Sequence, residues 1–401
     1  MKLRQLCLIG LCFWCFNLKS EQPETYTPYG LQNNMPLFYR QAKEAITFSM
    51  AWEHRGNAKQ LQQKKRFAKW KKQARQVLFD CMGPLPPPAG DFDALVLAGE
   101  QREGYEGGRP YLAQKILLNI TSFERIPAYL LIPEGEGPFP AIVMLHDHGA
   151  KFSIGKEKMV KPIHPSEELE KECNQWSVQC YDSIYTGDYF ASQGYVVLAI
   201  DALFWSERGS VEGHDYNRQQ ALASNMFQLG RTWCGHITND DIQSVEYLCS
   251  LPYVDTERIA ALGFSMGAHR AWMLAAASDK VSAAVAVCWM NTTEHLMTLD
   301  NNQNKGGSAY SMLLPGIRNY LDYPHVASIA CPKPMYFING SRDKLFPVQG
   351  CLDAFETMRR VWESQGAGDC LRTEIWDSPH FFSRAMHEQS LQFLNKILRK
   401  N

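Results

Sequence analysis

Charge imbalance is missing from this chain: 41 Lys and Arg stand against 42 Asp and Glu in 401 residues, for a formal net charge of −1. That balance excludes a global electrostatic attraction to nucleic acid or to any strongly charged partner, so partner choice must come from a site. Long apolar runs are scarce as well. Beyond residue 20 no stretch is long and apolar enough to predict a transmembrane helix, and no stable membrane insertion is expected. The nine cysteines after that point (Cys81, Cys173, Cys180, Cys234, Cys249, Cys288, Cys331, Cys351 and Cys370) contain no Cys-x-x-Cys pair. A zinc site of that type is thereby excluded, and no metal or cofactor is expected. Internal repeats and low-complexity tracts are absent too.

What is present is a 45% hydrophobic composition, enough for one large core and at most a small second unit. Met1-Lys2-Leu3-Arg4 and the short apolar run Leu6 to Phe16 read as a secretory signal ending near Ser20, so a secreted or periplasmic protein is expected. A buried N-terminal helix or a short membrane anchor is the alternative for that run. In an oxidising compartment Cys173 with Cys180, or Cys351 with Cys370, could pair.

Residues 21–93 read as a helical extension and linker. Its second helical piece, Leu61 to Phe79, sets Lys64, Lys65, Arg66, Lys69, Lys71, Lys72 and Arg75 around Phe67, Trp70, Val77 and Leu78. Such a helix either lies on an anionic membrane or docks its apolar stripe and keeps its lysines solvated, and docking is the favoured reading. Gly83-Pro84-Leu85-Pro86-Pro87-Pro88 stops it.

From residue 94 to 401 strand and helix patterns alternate. Tyr111–Leu118 and Ile126–Ile132 read as antiparallel neighbours, and Ala141–Leu145, Tyr195–Ile200, Ile259–Gly263, Ala283–Cys288, Met335–Asn339 and Thr373–Trp376 as further strands. Helices are expected over Asp240–Leu251, Ala268–Ala277, Leu352–Gln365 and Arg384–Leu398. This alternation predicts an α/β fold, a mostly parallel central sheet with helices on both faces and sites at the strand C-terminal ends.

The chemistry concentrates there. Gly263-Phe264-Ser265-Met266-Gly267 joins an apolar strand to an Ala-rich helix, the context that a nucleophile elbow requires. A serine hydroxyl needs a base, and the base an orienting acid. In the chain order serine, acid, histidine the candidates are Ser265, Asp343 and His380, the last two in loops directly after strands, with Asp322 and Asp377 as reserve acids. The loop Leu145-His146-Asp147-His148-Gly149 follows another buried strand and offers a backbone N–H at His148 or Asp147 to an oxyanion hole shared with Met266. A rival reading takes His146-x-His148 as metal ligands, needing partners among His164, His214, His236 and Asp201. Trp205, Trp289 and Arg231 are candidate substrate contacts, with core packing the bland alternative for the tryptophans. Asn119-Ile120-Thr121 and Asn291-Thr292-Thr293 fit glycosylation acceptors.

These motifs, with Gly194–Ala202, Val287-Cys288-Trp289-Met290 and Gly340-Ser341-Arg342-Asp343, resemble α/β-hydrolases of the dienelactone hydrolase and acetyl xylan esterase type over Ile126–Asn401. The resemblance implies that fold and a serine esterase acting on a small-molecule or carbohydrate ester through an acyl-enzyme. The sequence departs from dienelactone hydrolases proper, which carry cysteine where this chain has Ser265, and it places Asp147 at the second position of the usual His-Gly loop. The alternatives are a peptidase or amidase on the same three residues, or a non-catalytic binding protein with a hydrolase fold.

Overall fold

The computed structural model describes residues 41–53, 60–209, 215–297 and 310–399. The expected signal segment 1–20, the polar stretch after it and His214 lie outside the described residues. The chain divides into a unit ending at Ala45 and a compact body from Ile46 to Asn401, and only the body concerns the site. The helical lead after Ile46 belongs to the same body as the sheet.

Among the described residues the apolar runs form nine strands: β1 (Leu95–Arg102), β2 (Tyr111–Asn119), β3 (Arg125–Pro133), β4 (Phe139–Leu145), β5 (Val196–Ile200), β6 (Val254–Phe264), β7 (Ala283–Val287), β8 (Met335–Gly340) and β9 (Leu371–Trp376). They make one sheet in the order β1-β2-β3-β5-β4-β6-β7-β8-β9. The pairs β1–β2, β2–β3 and β3–β5 are antiparallel. From β5 to β9 every neighbour is parallel. Parallel strands need crossover connections, which cover both faces and explain why β4, β5, β7 and β8 are buried along their whole length.

Among the described residues of the body, ten helices supply the cover: α1 (Gln60–Met82), α2 (Glu167–Cys180), α3 (Thr186–Ser192), α4 (Tyr216–Gln228), α5 (Trp233–Ser250), α6 (Met266–Ala277), α7 (Thr293–Leu296), α8 (Tyr323–Ser328), α9 (Val348–Ser364) and α10 (Arg384–Leu398). Alternate strand residues serve two cores. Ala141, Val143 and Leu145 of β4 pack with α1, α5, α6, α8 and α9, whereas Ile142 and Met144 pack with α2, α3 and α10.

Helix α1 docks as the favoured reading expected. Phe67, Trp70, Ala74, Leu78 and Met82 recur at helical spacing and are buried in the larger core. Its basic face is only partly solvated. Lys64, Lys65, Lys69 and Lys72 are exposed, but Arg75 binds Asp279 bidentately at 2.8 and 2.7 Å and donates to the Ala276 carbonyl at 2.9 Å, closing the C-terminal end of α6.

Five helices, α2, α3, α4, α7 and α8, fall in segments where the sequence pattern predicts none. Helix α2 starts where the Ser166 hydroxyl accepts from Leu169 N–H, and α4 where the Asp215 carboxylate accepts from Arg218 N–H. Helix α3 is short and buried throughout. Helix α5 begins seven residues before the expected Asp240, because Thr232 caps it and Trp233 and Ile237 are buried. Among the described residues no helix is long and apolar enough to cross a membrane. The nine described cysteines are all unpaired thiols, so neither pairing considered for them is made.

Candidate active site

Strand β6 runs between β4 and β7 near the middle of the sheet and ends at Phe264. The next residue, Ser265, has φ 56° and ψ −123°, a conformation costly for an L residue and held here by its surroundings. Its N–H donates to the Val287 carbonyl at 2.8 Å, and its carbonyl accepts from Ala268 and His269 at 2.8 and 3.1 Å, which starts α6 at once. Residue 267 must be glycine for that start: a Cβ there would stand 1.8 Å from the Leu145 carbonyl oxygen at the end of β4. The first turn of α6 thus lies directly against the loop that begins at His146. Met266 is the first residue of α6, so its N–H has no acceptor within the helix.

The loops after β8 and β9 are zipped together. Ser341 N–H donates to the Trp376 carbonyl at 2.7 Å and Arg342 N–H to the Ser378 carbonyl at 3.0 Å. Gly340 permits this approach, since a Cβ there would meet the Ser378 carbonyl oxygen at 2.3 Å. Asp343 and His380 are brought together as a result. His380 Nδ1 lies 2.6 Å from Asp343 Oδ2, and His380 Nε2 lies 2.8 Å from Ser265 Oγ. The Asp343 side chain is fully buried, and its Oδ1 accepts from Leu345 N–H at 2.9 Å. A carboxylate can only accept, so the Nδ1 of His380 carries the proton and Nε2 turns its lone pair to the serine hydroxyl. The rings of Phe264 and Phe346 flank the imidazole, with centroids 4.8 and 6.0 Å away.

The third component is the loop His146–Gly149, whose first three residues are buried. His146 Nε2 accepts from Ala202 N–H at 2.9 Å, so its Nδ1–H donates to the Asp147 carbonyl at 2.8 Å. Asp147 is anchored by its carboxylate, which accepts from Tyr181 OH at 2.6 Å and Trp176 Nε1 at 3.1 Å. Burial, reinforced by the nearby Lys158 ammonium, pushes His148 down to about 3 and keeps its imidazole neutral. His146 is likewise held well below the ordinary histidine value, by burial first and then by Arg270 and Lys158. The Asp147 N–H faces the Tyr181 hydroxyl, whereas the His148 N–H donates to no backbone carbonyl among the described residues.

A family model described as the Abhydrolase family matches residues 49–357. The chain belongs to the Abhydrolase family. A curated relative in Bacillus subtilis (strain 168), "Putative hydrolase YtaP", is 27% identical over 329 residues, 81% of this chain and 98% of the relative. The fold is shared with a "putative acetyl xylan esterase" from Bacteroides fragilis NCTC 9343, at TM-score 0.68 and 17% identity, over 94% of this chain and 87% of that one. It is shared also with a glucuronoyl esterase from Solibacter usitatus, at TM-score 0.58 and 14% identity, over 83% and 93% of the two chains.

The other candidate residues of this Abhydrolase-family chain are engaged in contacts of their own. Trp205 and Trp289, considered as sugar-stacking rings, are 0% and 1% exposed and offer no free face. Trp205 packs on His148, Phe152 and Trp233 and donates to the His148 carbonyl at 3.2 Å, which makes it a support beneath the loop. Trp289 is enclosed by His269, Trp272, Tyr323 and Phe346. Arg231 donates to the Pro84 carbonyl at the end of α1 and lines a cavity of about 650 Å³ together with Val77, Phe227 and Tyr320, none of them near His380 by contact. The reserve acids are committed elsewhere: Asp322 caps α8 and accepts from Thr293 N–H at 3.0 Å, and exposed Asp377 pairs with Arg342 at 2.7 Å. Asn291 is fully buried, with its amide donating to the Pro347 carbonyl at 2.9 Å, so it offers no glycosylation acceptor.

The histidine pair does not gather a ligand set. Both nitrogens of His146 are hydrogen-bonded, and among the described residues no cluster of three candidate ligands includes His146 or His148. His236 faces Glu124 at 3.1 Å and Asp201 binds Lys156 at 2.9 Å, while the His164 side chain is 69% exposed. Sequence reasoning missed Lys156 and Lys158, two fully buried lysines in a turn after the loop. Their signal is slight: Ile154, Met159, Val160 and Ile163 around them, all buried, are an apolar setting unusual for two ammonium groups.

Proposed function

We propose that this protein is a serine carboxylic ester hydrolase acting on acetyl or related esters carried by carbohydrates. The observation that carries the reading is the line from Ser265 Oγ to His380 Nε2 at 2.8 Å and from His380 Nδ1 to buried Asp343 at 2.6 Å. Ser265 attacks the ester carbonyl while His380 takes its proton, and Asp343 fixes the tautomer and stabilises the imidazolium. The carbonyl oxygen, now negative, lies toward the N–H of Met266 and an N–H of His148 or Asp147. Collapse expels the alcohol with the proton from His380, and water repeats the sequence on the acyl-enzyme to free the acid. Support for a carbohydrate ester comes from the acetyl xylan and glucuronoyl esterases that share the fold.

The test is labelling followed by turnover. A fluorophosphonate is expected to label Ser265 in the wild type and not in Ser265→Ala, and that variant is expected to lose at least about 10⁴-fold in kcat on p-nitrophenyl acetate. A panel of acetylated xylo-oligosaccharides and peptide anilides then fixes the class. Cleavage of the anilides with the sugars left intact would replace the esterase by a peptidase, and an unlabelled Ser265 would end both readings.

A further inference from the structure

We infer that Lys158 is the positioning residue of the oxyanion loop: its buried ammonium binds the carbonyl oxygens of Asp147 and His148 together and so turns the opposite, N–H edges of two successive peptides toward the serine. The inference rests on the reading of Ser265 as the nucleophile.

The geometry is specific. Lys158 Nζ donates to the Asp147 carbonyl at 3.1 Å and to the His148 carbonyl at 2.9 Å. A trans peptide is planar with its C=O and N–H on opposite edges, so each carbonyl drawn toward Lys158 sends the N–H of the following residue, His148 or Gly149, the other way. Each carbonyl also has a second donor, His146 Nδ1 at 2.8 Å for one and Trp205 Nε1 at 3.2 Å for the other, so neither plane can swing freely. The clash that a Cβ on Gly267 would make with the Leu145 carbonyl places this loop against the first turn of α6, on the side where Met266 contributes its own donor.

The lysine is itself held rigidly. It ends a 3₁₀ turn, Lys156–Lys158, that is tied to the end of β5: Lys156 N–H and Nζ bind the two oxygens of Asp201 at 2.7 and 2.9 Å. Lys158 Nζ also lies 3.6 Å from the Asp147 carboxylate and over the Trp176 ring. A fully buried ion pair rarely stabilises a fold more than an apolar pair of the same volume would. A cation placed where an aliphatic side chain would satisfy the core therefore points to orientation of the polar loop that it contacts.

Two variants separate positioning from folding. Lys158→Met removes the two carbonyl contacts, and Asp147→Asn with Lys158→Met removes the ion pair as a unit, leaving no uncompensated buried carboxylate. Both are assayed on p-nitrophenyl acetate, with inhibition by a trifluoromethyl ketone, which forms a tetrahedral oxyanion on serine, and by a planar amide analogue of the substrate. We expect kcat to fall about 10²- to 10³-fold in at least the double variant with KM changed less than about threefold. The ketone is expected to weaken by the same factor as kcat/KM, with the amide unchanged. Retained kcat in a folded variant, or equal weakening of ketone and amide, overturns the inference. If both variants fail to fold, the lysine is a core support and the inference is likewise overturned. An unlabelled Ser265 in the wild-type fluorophosphonate experiment fails the esterase reading instead, so the two failures are told apart.

Discussion

Ser265 presents its hydroxyl from a backbone conformation with φ 56°, and that hydroxyl meets the imidazole of His380, which is oriented from behind. Asp343 does the orienting through one 2.6 Å contact from a fully buried carboxylate. In Asp343→Asn the amide can donate to Nδ1, which favours the tautomer with its proton on Nε2, facing the serine. Turnover of p-nitrophenyl acetate is expected to fall about 10⁴-fold while the melting temperature moves by only a few degrees. A loss below tenfold would show that Asp343 does not set the tautomer. Trp205 and Trp289 teach the converse lesson at the same scale. Their large rings could have stacked on a sugar, but their neighbours close both faces. Whether a tryptophan is a platform or a filler is decided by what stands opposite it, which no local pattern reports.

Elements set the distances among these residues. The close fit of the first turn of α6 under the β4 end makes Gly267 the most sensitive point. Gly267→Ala would place a methyl 1.8 Å from the Leu145 oxygen, so helix and loop must part. A loss of about 1–3 kcal/mol in urea unfolding and of about 10²-fold in kcat is expected, the latter because small misplacements of catalytic groups are costly. Helix α1 acts from farther away. Leu78 is fully buried in the main core, so Leu78→Ala should cost about 2–5 kcal/mol in the same unfolding measurement, with kcat of the folded enzyme little changed. Liposomes of anionic lipid should not sediment the wild type through this helix, because its apolar stripe is already covered by α5, α6 and the rest of the core. Sedimentation that is abolished by removing Lys64, Lys65 and Lys69 would contradict that.

Across the whole molecule, burial holds several imidazoles neutral. His148 and His269 are pushed down to about 3, His387 to about 4, and His146 well below the usual histidine value, in each case chiefly by loss of solvent. The unfolded chain takes up these protons near 6.5, where the folded chain refuses them, so the unfolded state binds more protons between roughly pH 6.5 and 3. Stability is fully present above that window and is lost as pH falls through it, by about 1–2 kcal/mol for each such imidazole between pH 7 and 5. Urea titrations at the two pH values should show it, and His269→Gln should flatten the slope, since its ring makes aromatic contacts but is no part of the Ser265–His380–Asp343 line. An unchanged midpoint from pH 7 to 5 would show that these rings are not buried neutral. What depends on neighbours along the chain was legible in the residues alone. Strand character before Ser265, helix character after it, the alternation that demands a parallel sheet, and loops after β8 and β9 carrying Asp343 and His380 are all readable within one or two periods of the pattern. It took packing of the folded chain to settle that Ser166 and Asp215 cap helices inside apparent loops, that Trp205 faces inward, and that Lys158 lies beneath two carbonyls ten and eleven residues earlier. The physical reason is that burial and hydrogen-bond partnership belong to pairs of surfaces, and those surfaces come into being only when distant segments pack.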